Sequence, residues 1–227
     1  ENAIGNHNNA RAIFFNVTDE KQRESEIENV DIVISMLPAS LHITVAKDCV
    51  RLGKNLVTAS YVSPEIAELD EAAKQAGILL LNEIGLDPGI DHMSAMQVID
   101  EIKENGGKLT SFKSFCGGLV HPDYDNNNPW NYKFTWNPRN VVLAGQGTAQ
   151  YIENGDYKYI PYTSLFERTE NMEVLDAGEF EGYANRDSLS YRKSYGLDDI
   201  PTLFRGTLRR KGYSEAWNIF VQLGMTD

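Results

Sequence analysis

The sequence predicts an α/β chain: part of a doubly wound parallel sheet, followed by an α+β region built on a mixed sheet. Three observations predict it. Apolar runs and helical stripes alternate through the first 90 residues with short connections, the pattern of βαβ units. One run, Val30 to Leu37, is nearly continuous in apolar residues, as a strand covered on both faces requires. Beyond it, a helix, a long irregular stretch and then mixed short strands and helices replace the alternation.

The elements follow in order. Ala12 to Val17 reads as a strand and Asp19 to Asn29 as a charged connection. Val30 to Leu37 is the next strand, ending at Pro38. Ser40 is placed to cap a helix with Leu41, Val45, Cys49 and Leu52 on one face and Gly53 as its stop. Asn55 to Ala59 is a short strand. Ser63-Pro64 supplies the N-cap and first residue of another helix, striped by Ile66, Leu69, Ala73 and Ala76 and closed by Gly77. Ile78 to Leu81 is a further strand. Asn82 to Gly89 is acidic and rich in turn residues. It falls at the carboxyl end of a parallel strand, outside which open α/β sheets bind ligands. The same Pro-Gly also suits a plain tight turn.

A helix is expected from about Asp91 to Asn105, stopped by Gly106-Gly107, and a strand of a second sheet from Lys108 to Cys116. Gly117 to Pro138 is long and irregular, with Trp130 and Trp136, and such a loop usually carries function or covers a site. Ser214 to Gly224 is a helix with Trp217, Phe220 and Val221 on one face. Two domains are therefore expected, residues 1–90 and 91–227.

Composition narrows the partners. The chain has 227 residues, 41% of them hydrophobic, enough for a sizeable core. Its net charge of −12 argues against nucleic acid, because phosphate binding needs a basic face. An anionic ligand would have to be held by local arginines against that field. No apolar run approaches the roughly 20 residues that span a bilayer, and no basic-then-apolar stretch suggests a leader. Cys49 and Cys116 have no partner spacing and read as reduced thiols of a cytoplasmic protein.

A dinucleotide-binding sheet normally opens with strand, Gly-x-Gly-x-x-Gly, helix. Glu1 to Arg11 is polar and irregular and supplies none. The expectation is a partial Rossmann-type sheet whose first βαβ unit is absent. A decoy stands at Val141 to Gln150, where Gly145 and Gly147 follow an apolar run. Gln150 replaces the third small residue, so this reads as a helix end or turn.

Six segments in order carry a resemblance: Thr58 to Pro64, Asn82 to His92, Phe115 to Leu119, Tyr132 to Trp136, Asn185 to Ser188 and Arg205 to Arg209. With this order and spacing, from about Val30 to the C-terminus, the chain resembles the saccharopine dehydrogenase family, most of all its glutamate-forming branch. The resemblance implies an N-terminal Rossmann domain with the glycine fingerprint, an α+β substrate domain, and further C-terminal sequence. It implies NAD or NADP as cofactor, saccharopine as substrate, and oxidation of its secondary amine to give glutamate and aminoadipate semialdehyde in lysine metabolism. A cytoplasmic homodimer without a metal goes with it.

Residue by residue, the resemblance implies substrate contacts at Ser60, Tyr61, Asp87, Arg186, Thr207, Leu208 and Arg209. It implies cofactor contacts at Leu37, Ala59, Ser60, Leu86, Asp87, Pro88 and Asn137. The chemistry agrees with the residue types: saccharopine has three carboxylates, and forked guanidinium groups bind carboxylates with charge and orientation. Arg205 and Arg210 read as solvated surface charges. Asp87 is the first candidate for a proton-handling residue, by position, or else a helix cap. His92 reads as pointing into a helix interface and Cys116 as a small buried hydrophobe. A metal site from Asp87, Asp91 and His92 is not needed for hydride transfer. Two rivals are a carboxyspermidine-type amine dehydrogenase and a non-catalytic binding domain that kept the fold.

Overall fold

The computed structural model describes residues 9–121, 123–124, 128, 130–135, 137–144 and 146–226. The chain forms two compact units, Glu1–Met93 and Ser94–Asp227.

The first unit runs α1 (Glu20–Glu28), β1 (Ile32–Ser35), α2 (Ala39–Leu52), β2 (Asn55–Thr58), α3 (Pro64–Ala67), α4 (Asp70–Ala76) and β3 (Leu80–Leu81). The strands form a parallel sheet in the order β1-β2-β3, with Ile32 beside Asn55 and Leu56 beside Leu80. Short strands with helical crossovers produce this arrangement. Val45, Ala46 and Cys49 of α2, Ile27 of α1 and Leu56 of β2 make the core, with Val33, Leu37, Leu52, Leu69 and Leu80 packed against it. The apolar stripe thus tells which side of α2 faces inward. Burial raises the Cys49 thiol to about 11, with the neighbouring Asp48 carboxylate adding to it, so it packs as an unreactive hydrophobe.

Several elements differ from expectation. Residues 12–17 form no strand, and Phe14 is 90% exposed. A strand exists only through a ladder, and among the described residues no strand pairs with this segment. The charged connection is instead helix α1. Asp19 caps it by accepting from the Gln22 N–H at 3.1 Å, and Arg23 and Ile27, four residues apart, turn inward. Strand β1 is covered on one side only: Ser35 is buried, whereas Ile32 and Ile34 are exposed. Helix α2 begins at Ala39 after the extended residue Pro38, so Ser40 does not cap it. The single helix expected after Ser63 is broken at Glu68-Leu69 into α3 and α4, although Ser63 does cap it and Gly77 does end it.

The second sheet follows α5 (Ile90–Glu104), within which the two units divide. It comprises β4 (Phe112–Cys116), β5 (Ala149–Glu153), β6 (Asp156–Ile160), β7 (Glu170–Val174), β8 (Gly178–Ala184) and β9 (Leu203–Arg210). The order is β6-β5-β9-β8-β7, with β4 pairing β9 in parallel and the other pairs antiparallel, so the sheet is mixed. Among the described residues, three short helices, α6 (Pro138–Ala144), α7 (Tyr191–Ser194) and α8 (Tyr213–Gln222), and a 3-10 turn at Tyr162–Glu167 accompany the sheet. Trp217 and Val221 of α8 enter a core with Phe166, Tyr183, Phe204 and Tyr213, and Phe220 packs at its margin. The decoy is a turn: Gly147, at φ 101°, joins α6 to β5, while Gly145 lies outside the described residues. Among the described residues, no helix is long and apolar enough to cross a membrane.

Gly117, just after β4, lies against the backbone of β9. A methyl group there would meet the Leu208 carbonyl oxygen at 2.1 Å, which is backbone and cannot swing aside. Gly117→Ala is therefore expected to cost about 1–3 kcal/mol of stability, by the usual cost of overpacking, read in urea unfolding. An unchanged midpoint would show that β4 and β9 separate without cost.

Candidate functional site

In the first unit, the positions expected to bind ligand gather at the carboxyl edge of the parallel sheet, because each connecting loop leaves a strand there. Leu37 follows β1 and is half-buried against the core. Ala59, Ser60 and Tyr61 follow β2. The loop Gly85–Gly89 follows β3 and returns to the same edge: the Glu83 N–H donates to the Ser60 carbonyl at 3.1 Å and the Ile84 N–H to that of Thr58 at 3.4 Å. The Tyr61 hydroxyl donates to Asp87 Oδ1 at 3.0 Å. Exposed Leu86 and Tyr61 give this edge apolar surface beside its polar groups.

The loop is held by its own backbone. Gly85 N–H donates to the Pro88 carbonyl at 2.9 Å and Ile90 N–H to the Gly85 carbonyl at 2.9 Å, and the Asp87–Pro88 peptide is cis. Gly89, at φ 151°, lies so close that a methyl group would meet the Gly85 oxygen at 2.2 Å. Asp91 Oδ1 accepts from the Gly89 N–H at 2.8 Å. Asp87 faces Tyr61 through that 3.0 Å hydrogen bond. His92 differs from expectation: its ring nitrogens stand 3.5 Å from Glu83 Oε2 and 3.6 Å from Asp91 Oδ2, beside the loop. Glu83 Oε1 also accepts from the Val62 N–H at 3.1 Å.

One group at this edge had no sequence-based expectation. His42 of α2 is 2% exposed and reaches the ends of both strands. Its Nδ1 is 2.8 Å from Ser35 Oγ and its Nε2 is 2.7 Å from Ser60 Oγ. Burial holds its pKa below the ordinary histidine value, so the ring is neutral. The available signal is a histidine one residue from the apolar stripe Leu41-Val45-Cys49, in the first turn of the helix that follows a strand end.

In the second unit, β9 carries Thr207, Leu208 and Arg209. Arg209 is 8% exposed. Its guanidinium carbon lies 5.0 Å from the Tyr132 ring centre, 5.1 Å from Tyr213 and 5.9 Å from Tyr183. Aromatic faces attract a cation in this geometry. Burial raises the pKa of all three tyrosines, so their hydroxyls stay protonated. Arg209 Nη1 donates to the Leu208 carbonyl at 3.1 Å, while Nε finds no acceptor. Glu181 stands opposite Arg209 in register, but it accepts the Ser214 and Gly212 N–H groups at the start of α8. Among the described residues no carboxylate pairs with Arg209.

Tyr132 also lines a cavity of about 300 Å3 with Trp130, Phe134, Val142, Trp217 and Phe220. Thr207 Oγ1 donates to Asn185 Oδ1 at 2.7 Å. Arg186 is exposed on the turn after β8, and its carbonyl accepts the Gln150 N–H at 3.0 Å. Asn137 is exposed at the entrance to α6, where its carbonyl accepts the Val141 N–H at 3.2 Å. Trp136 lies outside the described residues. Cys116, at the end of β4 beside Thr207, is half-buried. Arg205 is not a solvated charge: it is 3% exposed, with its guanidinium 4.0 Å from the Tyr191 ring centre. Arg210 lies over the Phe180 ring at 4.5 Å and donates to the Ala177 carbonyl at 3.3 Å. Strand alternation sends these arginines to opposite sides of a largely buried strand, which a count of charges does not reveal.

Residues 1–81 match the profile "Saccharopine dehydrogenase NADP binding domain", and residues 85–227 match "Saccharopine dehydrogenase C-terminal domain". The chain belongs to the saccharopine dehydrogenase family. It is 42% identical, over 96% of its length and 48% of the other's, to "Saccharopine dehydrogenase [NADP(+), L-glutamate-forming]" of Schizosaccharomyces pombe. It is 45% identical to the "Alpha-aminoadipic semialdehyde synthase" of Arabidopsis thaliana, over 95% of this chain and 20% of that protein. The apo saccharopine dehydrogenase (L-Glu forming) of Saccharomyces cerevisiae superposes with a TM-score of 0.86 at 39% identity, covering 96% of this chain and 49% of that one. The chain thus spans about half the length of the fungal relatives it matches.

Proposed function

We propose that the protein carrying this chain is an NADP-dependent oxidoreductase that cleaves saccharopine to glutamate and aminoadipate semialdehyde, or runs the reverse condensation, in lysine metabolism. The observation that carries this reading is Arg209: a buried guanidinium, caged by three tyrosines, with no carboxylate partner among the described residues. A buried cation is costly unless an anion completes it, and saccharopine offers three carboxylates. The fungal relatives named for this activity support the choice of substrate.

The residues at the carboxyl edge of β1, β2 and β3 fit the nicotinamide half of the cofactor. Exposed Leu86 offers a surface for a planar ring, Ala59 and Ser60 offer backbone and hydroxyl, and Leu37 closes the side toward the core. Bound there, nicotinamide would accept the hydride released as the amine-bearing carbon becomes an imine. The match to an NADP binding domain supports NADP. Asp87 holds and orients a cationic nitrogen of the substrate, and Tyr61 fixes its carboxylate through the 3.0 Å hydrogen bond. Thr207 and Leu208 supply a hydroxyl and a carbonyl near Arg209, and Arg186 adds an exposed charge. The two thiols support a reducing compartment such as the cytoplasm. A homodimer accompanies this reading, and light scattering of the purified protein tests it.

The decisive assay follows reduction of NADP at 340 nm on adding saccharopine. Turnover with saccharopine and its loss in Asp87→Asn, by about 10- to 100-fold in kcat/KM, is the expected outcome for a charge-assisted contact. Turnover with an amine that lacks the glutamate moiety, and none with saccharopine, would transfer the protein to another branch of amine oxidation.

A further inference from the structure

Ser60 leaves the end of β2 with its hydroxyl half-buried and already engaged. The partner is His42, which no functional expectation included. The ring spans two strand ends: Ser35 Oγ at 2.8 Å on Nδ1 and Ser60 Oγ at 2.7 Å on Nε2, with Thr58 Oγ1 a further 3.4 Å from Nε2. Ser35, His42 and Thr58 are 4%, 2% and 1% exposed, so water does not compete for these bonds. The Ser60 N–H also donates to Thr58 Oγ1 at 3.3 Å, which fixes the backbone from which the hydroxyl projects.

A neutral imidazole has one N–H donor and one bare acceptor nitrogen. The chain Ser35–His42–Ser60 therefore has two arrangements. With the proton on Nε2, the ring donates to Ser60 and Ser35 donates to Nδ1, so the Ser60 hydrogen points away from the ring. With the proton on Nδ1, the ring donates to Ser35 and Ser60 donates to Nε2, so Ser60 presents only lone pairs. In the second arrangement the Ser60 O–H is fixed on the ring, and in the first it is kept off the ring side and left to face away. A structural histidine needs only satisfied nitrogens. This one spends one of its two bonds on a residue at the ligand edge of the sheet.

We propose that His42 is a positioning residue: it orients the Ser60 hydroxyl and sets whether that group donates to or accepts from the bound ligand. The inference rests on the functional reading above, in which Ser60 touches substrate and cofactor. His42 itself is too deeply buried to meet either.

The test uses the natural protein carrying this sequence, assayed with saccharopine and NADP. Ser60→Ala is expected to raise KM about tenfold with kcat changed less than about twofold, the worth of roughly one hydrogen bond to a charged ligand. His42→Asn, whose amide reaches only the Nδ1 position, should do the same, and the double variant should be no worse than either single one. His42→Gln, whose amide reaches the Nε2 position, should restore most of the affinity. Multiplying effects in the double variant, or equal damage from Gln and Asn, would overturn the inference. A readout independent of turnover separates the two readings: in 15N-histidine NMR, Ser60→Ala must shift the His42 Nε2 resonance and its tautomer balance. An unmoved resonance overturns the proposal even in an active enzyme. A wild type that ignores saccharopine while the resonance moves overturns the substrate instead.

Discussion

Replacing Arg209 by methionine is expected to raise KM for saccharopine by about 100-fold or more. Removing one member of a buried, hydrogen-bonded charge pair costs about 2–5 kcal/mol, and each 1.4 kcal/mol is tenfold in affinity. Methionine keeps most of the volume among Tyr132, Tyr183 and Tyr213 and removes only the charge and its forked donors, so the loss is read on a folded protein. Arg209→Lys should recover part of it, because an ammonium keeps the charge but cannot bind a carboxylate through two parallel hydrogen bonds. Arg186→Ala, on an exposed turn, should cost less, about tenfold, and that loss should shrink with added salt as exposed charges are screened. Initial-rate kinetics at fixed NADP give the KM of the wild type and of all three variants. An unaltered KM in Arg209→Met, with the thermal transition intact, would remove the residue from the substrate site.

The second large effect concerns stability. Asp48 of α2 joins Arg23 of α1 in a buried ion pair, and Arg51 adds a hydrogen bond to Asp48 at 2.9 Å. Arg23 also donates to the Val17 carbonyl at 2.6 Å, which ties the chain entering α1 to the helix layer. Arg23 and Asp48 are each 7% exposed. Asp48→Ala leaves the Arg23 guanidinium buried without its anion, and breaking such a pair costs about 3–5 kcal/mol. That is a large part of the roughly 5–15 kcal/mol that holds a typical domain folded. Denaturant unfolding of the variant should show the unfolding free energy fall by that amount, with a correspondingly lower midpoint. Changing both residues to apolar ones of similar size should recover most of it.

The same pair sets a pH dependence. Burial alone would raise the Asp48 pKa, but the hydrogen bonds from Arg51 and Arg23 and their charges outweigh it, and the carboxyl stays below its ordinary value. A lowered folded-state value means that the stabilisation is fully present above the unfolded pKa of about 3.9 and is lost as pH falls through the folded one. Acid unfolding of the wild type should therefore include a contribution from Asp48 below about pH 4, and Asp48→Asn should flatten that limb. A limb of identical steepness in both proteins would place the acid sensitivity elsewhere.

Much of the fold was legible from local patterns. The stripe on α2, Ser63-Pro64, and Gly53 and Gly77 as stops all stand where periodicity and capping place them, because these signals act within a few residues. The strand assigned to residues 12–17 shows the opposite case. Its apolar character is real, yet a strand needs a neighbour, and none of the described strands pairs with it. The overestimate of β1 burial has the same source: alternation along a strand is local, while covering its second face depends on what packs there.

The candidate site divides along the same line. Ser60, Tyr61, Asp87 and Arg209 were marked by motifs, so their identity needed no structure. Their partners did. Tyr61 and Asp87 are 26 residues apart and meet only because β2 and β3 release their loops at one edge. Ser60 and His42 are 18 residues apart and meet because α2 packs beneath that edge. By itself, the sequence determined the fold class, the family and the residue types able to bind carboxylates, since these rest on local periodicity and ordered motifs. Only the tertiary structure decided that Arg205 is buried rather than solvated, that three tyrosines surround Arg209, and that a histidine holds Ser60. Burial and long-range pairing are set by parallel and antiparallel registers and by which helix covers which strand, and those are properties of the assembled layers.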